Sequence, residues 1–389
     1  MATSELHSQV EVLVRNRLEP TPFAASDLKE LSGGTANFIY RATLREPLPD
    51  GTRHVLVKHG EGFVKNSPGF KLTTSRCRIE QECLETLSEL KVVGQADSDD
   101  VFKYAVRTPR ALYFDAESNT QVQEFLSDGI DLKSYALATF SPHTPESHKA
   151  ECHALGKAIG RWLRALHDLS VAGTNQQAGH TRDQSGLAGL VAENIELQKL
   201  KHAINFGLLQ GQPDKFPKVL GDDARQAFAK VQDMAAQELE DESQLGIIHG
   251  DFWTGNILLP NKPITPDQEV PVFVVDWEMA QLGKRNLDLG QMIAELYELW
   301  LYKSITAGLW IIEGFTAGYG VGTAEFAFRT AIQTGAHLVC FGTSVPGWGT
   351  PEQNEMVAEK GRDLIMHALD KDRGWFEKSE LASLFGKVQ

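Results

Sequence analysis

Ile247-Ile248-His249-Gly250-Asp251-Phe252-Trp253-Thr254-Gly255-Asn256-Ile257-Leu258-Leu259, followed by Val272-Phe273-Val274-Val275-Asp276-Trp277-Glu278, decides how this chain is read. Two apolar runs flank an Asp with an Asn five residues later, and the second run ends in another Asp. Phosphoryl transfer to an alcohol asks little covalent chemistry of a protein. It asks that the acceptor oxygen be aligned and the phosphate charge neutralised. Asp251 has the chemistry to accept a hydroxyl proton. Asn256 and Asp276 offer the side-chain oxygens that Mg2+, a hard cation, takes as ligands. Glu278, on the same side of an extended segment, completes that shell. His249 is placed to hydrogen-bond loop carbonyls and is expected to act as a scaffold. Either fragment alone is an ordinary turn; together, 25 residues apart between strand-like runs, they read as a phosphotransferase.

His249-Gly250-Asp251 through Asn256, with Asp276-Trp277-Glu278, resembles the aminoglycoside phosphotransferase, choline kinase and methylthioribose kinase superfamily. Within it the chain is most similar to fungal small-molecule kinases of the hydroxytryptamine kinase type. The resemblance spans residues from about 30 to about 345 and implies a protein-kinase-like fold with ATP and Mg2+ as cofactors. In protein kinases the metal-binding Asp precedes Phe-Gly, whereas Asp276 precedes Trp-Glu. That departure, with no Ala-Pro-Glu element after Asp276, argues against a protein substrate.

The amino-terminal half supplies the other parts such a fold demands. Leu31-Ser32-Gly33-Gly34-Thr35-Ala36-Asn37-Phe38-Ile39-Tyr40 puts two glycines at a turn before an alternating strand, so that Gly33, Gly34 and Asn37 are candidates to cradle phosphates. The full Gly-x-Gly-x-x-Gly spacing is absent. Val55-Leu56-Val57-Lys58 is an apolar strand ending in a Lys that can reach the α- and β-phosphates. Glu80 shares a helical stripe with Cys83, Leu84 and Leu87, and a carboxylate on an apolar face needs a cation. Glu80 is therefore expected to pair with Lys58. In Gln121-Val122-Gln123-Glu124-Phe125-Leu126 the resemblance implies a strand entering a hinge, with the Glu124 carbonyl and the Leu126 amide contacting adenine.

At 389 residues the chain is long enough for two lobes sharing one cleft or for two independent domains. Its composition, 42% hydrophobic and 23% charged, is that of an ordinary soluble globular protein. A net charge of −14 disfavours nucleic acid; it suits a cationic acceptor and equally a generally solubilising acidic surface. The start of the chain lacks the basic and apolar regions of a signal peptide, and no run approaches a membrane span, so the cytoplasm is expected. Four cysteines without zinc or Cys-x-x-Cys spacing are expected to be reduced core thiols.

Leu155, Ile159, Trp162, Leu163 and Leu166 mark the buried face of a helix ending near His167. Ser141–Pro145 and residues 172–186 read as surface loops, and Asp97–Asp100 as a solvated loop. Asp288 opens a helix and is expected to hold the catalytic loop. On that helix Gln291, Glu295 and Glu298 share a polar stripe, read either as acceptor-binding or as a solvated face. His337, Phe341 and Trp348 form a second candidate acceptor region, whose aromatics are read either as stacking on a ring or as core packing.

The expectation is an α+β, two-lobed, kinase-like fold: a β-rich nucleotide-binding lobe over residues 1–126 and a mostly helical catalytic and substrate-binding lobe over 127–389. The expected activity is phosphorylation of a hydroxyl on a small metabolite. An aminoglycoside-type antibiotic phosphotransferase is the alternative, and a nucleotide-binding pseudokinase is a third reading, disfavoured because Lys58, Glu80, Asp251, Asn256 and Asp276 are all present.

Overall fold

A computed structural model describes residues 3–90, 92, 101–169, 184–266 and 268–386. The chain forms two compact units, one of residues 1–89, 108–127 and 276–278, the other of residues 90–107, 128–275 and 279–389. The architecture is α+β.

The first unit is built on a five-stranded antiparallel sheet in the order Ala25–Glu30, Phe38–Leu44, His54–His59, Thr120–Glu124, Ala111–Asp115. Side chains alternate across a strand. Phe38, Tyr40, Ala42 and Leu44 therefore face one way with Val55, Val57 and Val122, and together they bury the stripe Val10, Val14, Leu18 of the helix Thr3–Leu18. Lys58 follows Val57 and points to the opposite face. Its strand runs one residue beyond the expected end, through His59, and lies in the middle of the sheet. Gly33 and Gly34 have φ of +114° and +70°, backbone that favours glycine, and turn the chain into the strand Phe38–Leu44.

The second unit holds a four-stranded sheet ordered Lys103–Arg107, Glu269–Val274, Ile257–Pro260, Gly129–Asp131, and a two-stranded ladder of Gly246–Ile248 with Gln281–Gly283. Its long helices are Lys149–Leu169, Asp222–Glu240, Asn286–Lys303, Ala307–Tyr319, Ala324–His337 and Pro351–Leu369. Leu155, Ile159, Trp162, Leu163 and Leu166 are all buried. The helices Lys149–Leu169 and Ala307–Tyr319 touch backbone to backbone through Gly156, Gly160, Gly314 and Gly318. A Cβ at any of the four would strike main-chain atoms of the facing helix.

The helix Asn286–Lys303 is buried almost all round, including Gln291, Glu295 and Glu298. The solvated-face reading of that stripe is thereby overturned, because helices pack against it on several sides. Residues 184–186, expected in a loop, begin the helix Gln184–Ala192. Residues 172–183 and Asp97–Asp100 lie outside the described residues. No helix among the described residues is long and apolar enough to cross a membrane.

Candidate active site

In the first unit the ammonium of Lys58 lies 2.7 Å from Oε2 of Glu80 and also pairs with Oδ1 of Asp276. Strand alternation sends Lys58 to this face, and the helix Ser75–Leu87 brings Glu80 there with Cys83, Leu84 and Leu87 buried beside it. The main-chain amide of Trp277 donates to Glu80 as well, at 3.4 Å. Glu278 accepts from Arg76 at 3.0 Å and from the amide of Asn37 at 2.7 Å, while Arg76 donates to Asn37 Oδ1 at 2.9 Å. The side chain of Asn37 is thus engaged with Glu278.

Charge explains the grouping. Burial works against the Lys58 ammonium, but the carboxylates of Asp276, Glu80 and Glu278 outweigh it and raise its pKa. Burial pushes the Glu80 carboxyl up to about 7, and Asp276 and Glu278 add to the rise against the pull of Lys58. Oxygens of Glu80, Asp276 and Glu278 lie within 4.8 Å of one another. Three carboxylates here face two cationic side chains, and an all-oxygen donor set with surplus negative charge fits a divalent hard cation. Asp276 sits at φ +67°, a left-handed conformation that Asp tolerates better than most residues.

In the second unit the strand Gly246–Ile248 leads into His249, and the amides of His249 and Gly250 donate to Asp288 at 2.8 and 3.0 Å. Asp288 also meets the buried ring of His167 at 3.1 Å. Gly250 has φ +78°, and a Cβ there would strike the carbonyl of Met279. His249 accepts the amide of Asp251 on Nδ1 at 3.3 Å and contacts the Val275 carbonyl through Nε2 at 3.0 Å. That pattern calls for the proton on Nε2.

The loop so held presents Asp251. Its Oδ1 accepts from Lys201 at 2.7 Å and from Gln291 at 2.8 Å. Its Oδ2 receives the Asn256 amide at a longer 3.3 Å, and a carboxylate oxygen with one such contact retains capacity for a hydroxyl. Burial pushes the Asp251 carboxyl upward, but Lys201, by charge and hydrogen bond, and then Gln291 outweigh it and hold the pKa below the ordinary value.

A third group gathers the candidate acceptor residues. Glu295 contacts His337 at 3.0 Å, and His337 stacks on Phe341 with centroids 4.9 Å apart. Lys133 donates to Glu295 at 2.9 Å, lies 3.6 Å from Glu298 and sits over the ring of Trp348 at 4.4 Å. Burial opposes ionisation of Glu295, but His337 and Lys133 prevail and lower its pKa; burial and then the charge of Glu295 raise that of Glu298.

Residues 46–327 match the family described as Phosphotransferase enzyme family. The chain belongs to that family. It is similar to the phosphotransferase FrzJ of Cladobotryum sp, with 31% identity over 99% of each chain. A second relative is the 4-hydroxytryptamine kinase of Psilocybe cyanescens, 23% identical over 90% of each. Among solved structures, a choline/ethanolamine kinase family protein from Mesorhizobium loti aligns with a TM-score of 0.41 and 14% identity, covering 97% of this chain and 98% of the other.

In this phosphotransferase the strand Thr120–Glu124 ends at Glu124, whose carboxylate accepts the Arg110 amide at 3.1 Å, and Leu126 follows, half-buried. Sequence reasoning missed Lys201, Arg76, Lys133 and Trp253. The stripe Leu197, Lys201, Asn205 on the helix Ile195–Phe206 is buried, and a Lys four residues after a buried Leu raises the same question that singled out Glu80. Arg76 lies on the helix of Glu80, one turn earlier.

Proposed function

We propose that this phosphotransferase moves the γ-phosphoryl group of ATP, with Mg2+, onto a hydroxyl of a small metabolite that carries a cationic group. The observation that carries the reading is the set of three carboxylates, Glu80, Asp276 and Glu278, gathered beside the buried Lys58. Such a group suits a site for a metal-bound triphosphate. Asp276, Glu278 and Asn256 would hold Mg2+, which when bound neutralises charge on the phosphate oxygens. Lys58, oriented by Glu80, would bind the α- and β-phosphates; Gly33, Gly34 and Asn37 would cover them. The Glu124 carbonyl and the Leu126 amide would contact the base. In this division of labour residues 1–126 bind nucleotide, and residues 127–389 carry catalysis and the acceptor.

Asp251 would orient the acceptor hydroxyl through Oδ2 and take its proton as the new O–P bond forms and ADP leaves. A lowered pKa suits this role, because in a loose transition state the base chiefly positions the nucleophile and receives the proton late. The acidic side chains Glu295 and Glu298, the net charge of −14 and relatives named 4-hydroxytryptamine kinase support an amine-bearing acceptor. Four buried free cysteines suit the reducing cytoplasm.

The test is ADP release from Mg·ATP over a panel of hydroxyindole amines, amino alcohols, methylthioribose and aminoglycosides, with Asp251→Ala as control. Turnover on a member of the panel that Asp251→Ala abolishes supports the reading and names the acceptor class. Turnover on aminoglycosides alone favours an antibiotic-inactivating enzyme; turnover that survives in Asp251→Ala removes Asp251 from the chemistry.

A further inference from the structure

The ammonium of Lys133 occupies a box that its own chain does not fully satisfy. Glu295 lies 2.9 Å away, Glu298 3.6 Å, and the rings of Trp348 and Trp253 4.4 and 5.8 Å. Two carboxylates and two indole faces are what an alkylammonium ion seeks. Glu298 is 1% exposed and neither of its oxygens has a donor at hydrogen-bond geometry; burial and Glu295 raise its pKa, and the more distant Lys133 and Trp348 only partly offset the rise. A buried carboxylate in that condition is costly unless a further donor arrives. Lys133 donates to Glu295 at 2.9 Å but stands 3.6 Å from Glu298, beyond hydrogen-bond distance, so it does not satisfy Glu298. The Trp253 ring lies against Gly255, where a Cβ would enter it.

The box is joined to Asp251 by a helical ruler. Gln291, Glu295 and Glu298 follow one another at i, i+4 and i+7 on the helix Asn286–Lys303, and Gln291 donates to Asp251. At a rise of about 1.5 Å per residue, Glu295 and Glu298 stand about 6 and about 10 Å along the axis from Gln291. Trp253, two residues beyond Asp251 in the chain, brings its ring to 5.8 Å from the Lys133 ammonium.

We propose that this box is the ammonium subsite of the acceptor, and that Lys133 is an intramolecular occupant which the acceptor's ammonium displaces. The inference rests on transfer to a hydroxyl held at Asp251. It selects amines whose nitrogen and hydroxyl oxygen lie on the order of 6 to 10 Å apart, the span of the ruler. Hydroxylated arylalkylamines meet that span. A two-carbon amino alcohol, about 4 Å end to end with bonds of about 1.5 Å, does not. Lys133 keeps the box closed and electrically balanced without substrate, so a cation must be positioned to displace it.

The experiment titrates wild-type protein and Lys133→Met with phenylethylammonium, which has no hydroxyl and cannot be phosphorylated, while tryptophan fluorescence is followed. Methionine retains most of the apolar stem that packs along the pocket. Removing the competitor is expected to tighten probe binding about tenfold, the scale of one desolvated cation–π contact. Equal or weaker binding by folded Lys133→Met overturns the proposal. A second measurement does not depend on Lys133→Met: NMR of wild-type protein carrying 13C-methylated lysines. The Lys133 resonance, assigned by its absence from Lys133→Arg, is expected to move from a ring-shifted to a solvent position at saturating probe; an unmoved resonance overturns the proposal. Both readouts report binding alone, so they fail or succeed separately from the transfer reaction, which ADP release judges.

Discussion

Lys201 places its ammonium 2.7 Å from Oδ1 of Asp251, the oxygen that Gln291 also occupies. One oxygen of the carboxylate is thereby committed to these two donors, and the other is the one assigned to the acceptor hydroxyl in the proposed mechanism. In that mechanism the pair also sets the acid limit of the base. Burial pushes the Asp251 carboxyl up, and Lys201 with Gln291 outweighs it, so the group stays ionised below the ordinary carboxylate range. Lys201→Met should move the acid limb of the kcat profile to higher pH, because the lowering is lost while burial remains. Superimposable profiles in folded protein would show that Lys201 does not act through Asp251.

Asp251 and Asp276 should separate in kinetics. Asp251→Ala is expected to keep Mg·ATP binding while lowering kcat by about two orders of magnitude or more, the scale of a positioned base. At 276 asparagine is the cleaner substitution, since it tolerates the left-handed backbone at φ +67° while removing the charge. Asp276→Asn should weaken Mg·ATP binding measured calorimetrically; unchanged affinity would take Asp276 out of the metal shell.

How much of this was legible in the sequence depends on what holds each residue. Lys58 and Glu80 were readable because an ionisable side chain on an apolar strand or stripe demands a partner, and the two meet at 2.7 Å. Asp288 was readable as the residue that opens a helix near the loop, and it takes the amides of His249 and Gly250. Lys201 and Lys133 were not. Each lies more than 45 residues along the chain from its carboxylate partner, so only the folded arrangement of helices brings them together. The stripe of Gln291, Glu295 and Glu298 was visible, but its burial was not, because periodicity along one helix says nothing of what packs on its polar side.

The Lys58 pair gives a stability prediction with a built-in control. Lys58 and Glu80 are both buried, and removing one partner of a buried ion pair typically costs about 3 to 5 kcal/mol. Lys58→Met should lose about that much in denaturant unfolding, since Glu80, Asp276 and Glu278 are left without its charge. Mg2+ should then raise the melting temperature of Lys58→Met more than that of wild type, because a divalent cation offsets the same carboxylates. Equal protection of the two proteins would argue that these oxygens do not bind the ion.

A last prediction concerns the scaffold of the second unit and none of its chemistry. Gly156 and Gly160 on one helix, Gly314 and Gly318 on the other, each face main-chain atoms of the opposite helix, with no room for a Cβ. The spacing of four residues on both helices lets the two backbones interlock in register, and Trp162 and Phe315 are buried alongside. In an ordinary helix interior, Gly to Ala stabilises by up to about 1 kcal/mol. Here the added methyl must force the helices apart, and overpacking of that kind costs about 1 to 3 kcal/mol. Gly160→Ala should therefore lower the melting temperature, against the sign that helix propensity alone predicts. Gly211→Ala, where a Cβ meets open space, should not lose stability by this route. If Gly160→Ala were as stable as wild type, the close approach of these helices would be wrong.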